Sequence, residues 1–338
     1  LRTTDYLASN MKALVLSSSG LTVDQWPQPP MRDGHARVRI ITAGLNHRDQ
    51  WIREGKYAGI TLPVVLGSDA CGTVLEAPSS TSYVGTRVII DPTLVWGDNA
   101  KAQGPDFSVL GMPSQGALAE EVVVPVANLY HAPDHLTDDQ AAALPMAGVT
   151  AYRALFMQGG CSKDSTVLIT GIGGGVALTA FVMALAVGAR VFVTSTSDEK
   201  IAKAIAMGAA GGVNMENDTW AKDLATQART IDLVVDSLGG SPFNDLLSIV
   251  RPGGRIVSYG ATLGVVEKFS MHRIFWKQIH IVGSTMGTAA DFGDMMEFVK
   301  LHKLIPIVDS VVSLEETPSA LERLQRGEQF GKIVVRVA

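Results

Sequence analysis

TGIGGGVA, residues 170–177, lies between the apolar run VLIT (167–170) and an uncharged stretch that continues to Ala189. Gly171, Gly173, Gly174 and Gly175 permit a tight strand-to-helix turn and let backbone amides approach a pyrophosphate. The N-terminus of the following helix adds partial positive charge there. Val176 belongs to the same loop, and Ala177 is the small residue that packs helix on strand. By itself the string also fits a simple turn. The alternation around it decides the fold. RVFVTS (190–195), GGVN (211–214), DLVVDS (232–237), RIVSYGA (255–261) and QIHIVGS (278–284) follow as strands with helices between them. Ser197 caps DEKIAKAIAM, which Gly208 ends, and another helix covers 219–228. Ser241 and Pro242 read as the N-cap and first residue of the next helix. Six strands with helical crossovers predict a doubly wound parallel sheet, so the class is α/β with the glycine loop at the first βα turn.

Upstream the texture changes. KALVLSS (12–18), LTVDQW (21–26), ARVRII (36–41), TRVIID (86–91) and EEVVVP (120–125) are short β-type runs separated by turns. One helix interrupts them, HRDQWIREG (47–55), closed by Gly55. Residues 92–115 are rich in Gly, Pro, Asp and Asn and too long for a casual connection, so they read as a lobe or lid. Thr137 with Gln140 forms a capping box that opens a helical region, broken at Pro145 and resumed through TAYRALF (150–156). The expected organisation is a β-rich domain over 11–135, completed by 287–338, and a nucleotide-binding domain over 136–286.

The chain has 338 residues, 46% hydrophobic and 18% charged, enough for two domains with a substantial core. Lys plus Arg number 28 against 33 Asp plus Glu, a net charge of −5 with no basic run, which argues against nucleic acid as a partner. The uncharged stretch from Gly171 to Ala189 opens on a glycine cluster, and its apolar part is too short to span a bilayer, so no membrane partner is expected. Cys71 and Cys161 are the only cysteines. They exclude a disulfide framework and a four-thiolate zinc site, and they favour a cytoplasmic location. LRTTDYLASN (1–10) has no apolar signal core and reads as an extension ahead of Met11.

The strand after the glycine loop selects the nucleotide. An NAD site usually places Asp or Glu about 20 residues on, where it accepts hydrogen bonds from the ribose. Here Ser195 stands at that place, followed by Thr196, Ser197 and, a helical turn later, Lys200. A carboxylate would repel a 2′-phosphate, whereas hydroxyls and an ammonium would hold one. Asp198 and Glu199 have a sufficient role in the first turn of a helix. The expected cofactor is NADP(H); the other reading of Lys200 is a solvated helix face.

AGLNHRD (43–49), LPVVLGSDACGTV (62–74), GALAEEVVVP (116–125), AALPMAGVTAYRAL (142–155), the glycine loop, FWKQIHIVGSTMGT (275–288) and FGKIVVRV (330–337) together resemble the medium-chain dehydrogenase/reductase superfamily. The resemblance covers nearly the whole chain from Met11. It implies a GroES-like β-rich catalytic domain, a Rossmann domain, and a C-terminal return to the former. Alcohol dehydrogenases of this superfamily usually hold a catalytic zinc on Cys, His and Cys and a structural zinc on four Cys. Matched by motif, the catalytic positions fall at Asn46, Ser68 and about Met146, and the lobe at 92–115 has no cysteine. Amide, hydroxyl and thioether do not replace those ligands, so no metal is expected. The chain therefore resembles the zinc-lacking, quinone oxidoreductase-like branch, with details close to proteins labelled zinc-type alcohol dehydrogenase-like.

The resemblance also implies roles. Asn46 would orient the nicotinamide or donate to a substrate oxygen, or else satisfy a loop backbone. Thr150 would lie beside the nicotinamide, or bond the preceding helical turn. Tyr57 is a candidate proton donor, since Trp51 stands where the branch often has Tyr; a packed loop tyrosine is the other reading. His47 would contact a phosphate. Gly260, Ala261 and Thr262 would approach the nicotinamide ribose, and Ser284, Thr285 and Met286 the carboxamide. Asn214 would flank the adenosine. Lys332 would reach a phosphate or guard a sheet edge. Cys71 reads as a buried small hydrophobe before a reactive thiol. The outer Rossmann strand would pair two copies into a homodimer. The function expected is a zinc-independent NADPH-dependent reductase of a quinone or an α,β-unsaturated carbonyl. A metal-free alcohol or aldehyde oxidoreductase and a non-enzymatic NADPH-binding scaffold are the alternatives.

Overall fold

The computed structural model describes residues 10–337. The first nine residues, on which the absence of a signal core was read, lie outside the described residues. The chain divides into two units: one runs to Met146 and takes the chain up again at Val308, and the other is Ala147–Ile307.

The second unit is built on a parallel sheet of β1 (Thr166–Ile169), β2 (Arg190–Ser195), β3 (Gly211–Asn214), β4 (Leu233–Asp236), β5 (Arg255–Ser258) and β6 (His280–Gly283). Their order across the sheet is β3-β2-β1-β4-β5-β6. This is the doubly wound arrangement expected from the sequence, with β2 and β3 matching RVFVTS and GGVN residue for residue. Every residue of β1 and β4 is buried, because crossover helices cover both faces and force near-continuous apolar runs. The winding reverses between β1 and β4. At such a switch point the loops leaving the strand ends splay apart and open a crevice. The glycine loop leaves β1 at that place and feeds helix Gly175–Ala186, where Ala177 is buried.

The first unit carries the β-rich part. Strands Leu129–His131, Arg87–Ile90, Asp69–Glu76, His35–Gly44, Lys332–Arg336 and Val308–Ser313 lie side by side, and Glu121–Pro125 also pairs with His35–Gly44. A smaller sheet joins Gly20–Pro27, Asn10–Ser17 and Val64–Val65. Inward positions such as Leu14, Ile40, Leu66, Ile90, Leu118 and Val335 share one core. The C-terminal return therefore fills a central strand position of this sheet. The lobe at 92–115 holds only two short paired strands, Thr93–Leu94 and Ser108–Val109. It is tied down by Arg48, whose buried guanidinium donates to the carbonyls of Leu110 at 3.2 Å, Val109 at 3.3 Å and Met112 at 2.7 Å.

Some local readings change. Pro145 does not break a helix but begins one, Pro145–Tyr152, which continues as a π-helical turn over Arg153–Gln158. Proline is well placed in a first turn, where its missing N–H has no helical acceptor to lose. Pro242, expected as the first helical residue, is the N-cap of Phe243–Ile249. Helix Asp138–Ala142 belongs to the first unit and packs on strands His35–Gly44 and Asp69–Glu76. Helix Ala289–His302 stays with the second, where Asp291 pairs with Arg153. Among the described residues no helix is long and apolar enough to cross a membrane.

Candidate functional site

The glycine loop is shaped for a close backbone approach. Gly171 and Gly173 have φ of +67° and +121°, a region that side chains disfavour. A Cβ on Gly173 would stand 2.9 Å from Lys200 Cδ and 3.2 Å from its Nζ. The lysine thus lies over the loop and not along a solvated helix face. The N–H groups of Gly175 and Val176 open the helix, where first-turn donors lack helical acceptors. Ser195 ends β2 with its hydroxyl accepting the N–H of Ser197 at 3.1 Å, and Ser197 caps the next helix by accepting the N–H of Lys200 at 3.4 Å. Thr196, Ser195 and Lys200 therefore gather beside the loop, a cradle whose N–H donors, hydroxyls and ammonium fit a phosphorylated dinucleotide.

The strand ends converge on the same loop. Thr170 donates its hydroxyl to Asp236 at 2.8 Å, and Asp236 also accepts the N–H groups of Leu238 and Gly239. Burial raises the Asp236 carboxyl, while these donors oppose the shift. Gly260 and Thr262 crowd against the backbone of Ser237, with the Thr262 hydroxyl donating to its carbonyl at 3.3 Å. Ala261 lies between them. Beyond β6, Thr150 donates toward Met286 Sδ at 3.8 Å, so these two expected residues meet. Ser284 carries a buried hydroxyl with no partner among the described residues, the kind of orphan a bound carboxamide would satisfy. Thr285 lies between them in sequence. Asn214 is engaged internally: its amide donates to Asp198 at 2.9 Å and accepts the N–H of Glu216 at 3.0 Å. A cavity of about 320 Å³ opens beside it, walled by Asp198, Asn217, Trp220 and Gln227.

In the first unit Asn46 caps helix His47–Arg53, its own N–H held by Asp49 at 2.8 Å. Its side-chain oxygen accepts from Lys332 Nζ at 2.6 Å, and its Nδ2 donates to Asp69 at 3.0 Å. Lys332 is 5% exposed and gives its other two protons to Asp69 at 2.8 Å and to the carbonyl of Leu45 at 2.7 Å. Asp69, wholly buried, uses its second oxygen to accept the N–H of Met146 at 2.7 Å. This corrects both readings of Lys332. Its strand is central, not an edge, and all three of its protons are already placed. Burial, aided by the Lys332 charge, lowers the His47 pKa and keeps its imidazole neutral near pH 7. Tyr57 faces the Arg48 guanidinium, 5.0 Å from ring centre to Cζ. Burial pushes the Cys71 thiol up to about 12, in keeping with an inert packed residue.

The positions matched to a catalytic zinc do not fit one. Asn46 turns an N–H to Asp69, Ser68 is bound between Leu110 and Arg48, and Met146 offers a thioether. Among the described residues no group of three or more His, Cys, Asp or Glu could hold a metal ion. Asp69 and Arg48 were absent from the sequence reading. A carboxylate next to the Gly67–Ser68 turn was their available signal.

Residues 175–300 match the family described as zinc-binding dehydrogenase, and residues 32–134 match the alcohol dehydrogenase GroES-like domain. The chain is 34% identical to the zinc-type alcohol dehydrogenase-like protein YogA of Leptosphaeria maculans, covering 89% of this chain and 90% of that one. It is 27% identical to an acryloyl-coenzyme A reductase of Sulfurisphaera tokodaii, over 96% of this chain and 100% of the other. Among solved structures, one titled as an NAD-dependent alcohol dehydrogenase superposes with a TM-score of 0.90 at 32% identity, covering 97% of this chain and 100% of that one.

Proposed function

We propose a function from the premise that this chain belongs to the medium-chain dehydrogenase/reductase superfamily and is an oxidoreductase-type enzyme. It is a zinc-independent, NADPH-dependent reductase whose acceptor is a quinone or an α,β-unsaturated carbonyl, enoyl thioesters included. The observation that carries this reading is the Asn46–Asp69–Lys332 cluster. An amide and its fixed partners stand where the family's zinc enzymes keep metal ligands. Without a Lewis acid, a saturated carbonyl is a poor hydride acceptor, whereas a conjugated one spreads the incoming charge onto oxygen, where hydrogen-bond donors suffice. The acryloyl-coenzyme A reductase relative supports that substrate class.

When bound, the dinucleotide supplies a hydride: the alkene takes it at the β-carbon and a proton from water at the α-carbon, leaving a saturated carbonyl and oxidised cofactor. Gly173, Gly175 and Val176 would hold its pyrophosphate, with Ser195, Thr196 and Lys200 at the 2′-phosphate. Thr150, Ser284 and Met286 would position the nicotinamide end. Asn46 would donate an N–H to the substrate oxygen as charge gathers there. His47 is proposed as a phosphate contact through its neutral ring.

The test is an acceptor panel with NADPH and NADH: a quinone, an enone, an enoyl thioester and a saturated aldehyde, each with and without a chelator. NADPH oxidation by the conjugated acceptors, unaffected by chelation, is the expected result. Turnover of the aldehyde alone would favour the metal-free alcohol or aldehyde reading, which the NAD-dependent alcohol dehydrogenase neighbour supports. NADPH binding with no acceptor would favour a scaffold. Loss of activity on chelation would overturn zinc independence.

We also propose a homodimer and, from the two free thiols, a cytoplasmic location. Strand β6 pairs only with β5 among the described residues, leaving Ile281 39% exposed on an open edge. Helix Met271–Lys277 just before it exposes Phe275 at 63% and Trp276 at 74%. A second copy of this edge would satisfy both the backbone groups and the aromatics. Sedimentation should give twice the chain mass, and Ile281→Lys with Trp276→Glu should shift the protein towards monomer. A wild-type monomer at micromolar concentration would refute the pairing.

A further inference from the structure

The Asn46 cluster distributes its protons in a way that singles out one of them. Lys332 has three N–H groups, and all three are held within 2.8 Å by Asp69, Asn46 and Leu45. The carboxylate of Asp69 accepts from Lys332, Asn46 and Met146 and has nothing to donate. The amide of Asn46 has two hydrogens. One goes to Asp69 at 3.0 Å, and the other reaches the Gly44 carbonyl only at 3.5 Å, the outer limit of a hydrogen bond. Asn46 is also the only one of the three side chains that is not buried.

An asparagine amide has two nearly isosteric orientations, and only its partners decide between them. An ammonium can only donate and an ionised carboxylate can only accept. With the oxygen on Lys332 and the nitrogen on Asp69, both contacts are attractive. With the amide turned over, N–H would face N–H and oxygen would face oxygen. The pair thus admits a single orientation, in which the loosely held hydrogen belongs to nitrogen.

We propose that Lys332 and Asp69 are positioning residues that lock the Asn46 amide as a one-way donor, presenting its second N–H to the oxygen of the acceptor while forbidding the flipped, acceptor-only arrangement. The inference rests on the reductase reading for its catalytic consequence but not for the orientation itself. The matching ligand chemistry is an oxygen that gains negative charge during reaction, an enolate or hydroquinone oxygen, and not a group that must be hydrogen-bonded as a donor. A preorganised donor of this sort acts mainly in the transition state, so its loss should appear in kcat more than in KM.

The experiment has two arms. In the first, Lys332→Gln, Lys332→Arg and Asn46→Asp are compared with wild type for kcat, KM and NADPH affinity. A phenolate is also titrated onto each NADP-bound protein as a stable mimic of an enolate oxygen. Lys332→Gln should lower kcat about tenfold or more and weaken phenolate binding in parallel, with KM and NADPH affinity within about twofold. Lys332→Arg should restore most of both, and Asn46→Asp should restore neither. In the second arm the Asn46 side-chain amide of the wild type is followed by ¹⁵N NMR, which needs neither turnover nor a variant that folds. Its two hydrogens should differ in protection, one slow and one fast to exchange, and phenolate should protect the fast one. Equal kcat and phenolate affinity in wild type and Lys332→Gln overturns the proposal, as does an unperturbed fast amide hydrogen at saturating phenolate. An inactive wild type with the phenolate response intact would instead count against the reductase reading and uphold the orientation.

Discussion

Ser195→Asp should turn the preference for NADPH into one for NADH, moving the ratio of the two affinities by roughly a thousandfold, or about 4 kcal/mol. The native hydroxyl is 6% exposed, closes β2 and is fixed by the N–H of Ser197. A carboxylate at this strand end can accept hydrogen bonds from both ribose hydroxyls of NADH, the arrangement common in NAD sites. Towards NADPH it would set one negative charge against a phosphate carrying about −1.5 to −2. Lys200 would now answer the new carboxylate as well as the phosphate, so the substitution acts twice on the same ratio. Lys200→Met is the complementary arm. It should weaken NADPH about tenfold or more and leave NADH nearly unchanged, and the loss should shrink as salt is raised because part of it is Coulombic. Direct binding by cofactor fluorescence reads both without needing an acceptor. A ratio that stays put in Ser195→Asp would remove the 2′-phosphate assignment, and the NAD-dependent neighbour would then be the better guide to the cofactor.

The dinucleotide half of this argument was legible in the sequence because its signals are local. A buried parallel strand is a run of apolar residues, a glycine loop is contiguous, and Ser195 follows at a spacing set by one βαβ unit. The cluster around Asn46 was not legible, and the reason is distance along the chain. Asn46, Asp69 and Lys332 lie on three segments that meet only when the C-terminal strand Lys332–Arg336 inserts beside His35–Gly44. Read in isolation, a lysine opening the run KIVVR looks like an edge guard, since nothing in five residues tells a central strand from an outer one. Asp236 escaped notice for a related reason. It ends an apolar strand where a carboxylate is unremarkable, and its value comes from Thr170, a residue on the neighbouring strand. Pro145 shows a different limit. The rule that proline ends helices is weighted by position, and the sequence does not say which residue is first.

Asp291→Ala should be the most destabilising single change in the second unit, by about 3–5 kcal/mol, the range seen when one partner of a buried ion pair is removed. Arg153 and Asp291 are each 5% exposed and 2.5 Å apart, joining the π-helical turn to helix Ala289–His302. Asp291 does more than neutralise a charge. Its carboxylate accepts the N–H of Thr288 at 2.8 Å, completing a capping box in which Thr288 in turn accepts the N–H of Asp291 at 3.0 Å. Alanine would therefore strip the guanidinium of its carboxylate and also remove half of the cap, itself worth about 1 kcal/mol. Arg153→Met should cost less, because the carboxylate left behind keeps its backbone donor and the methionine refills the space. The double variant should be less destabilised than the sum of the two by at least about 1 kcal/mol, since it removes the stranded charge that makes each single change costly. Urea unfolding at pH 7, followed by the fluorescence of the tryptophans, gives the three values. Strict additivity, or an Asp291→Ala variant within about 1 kcal/mol of wild type, would show that the pair is dispensable and that apolar packing alone seats this helix.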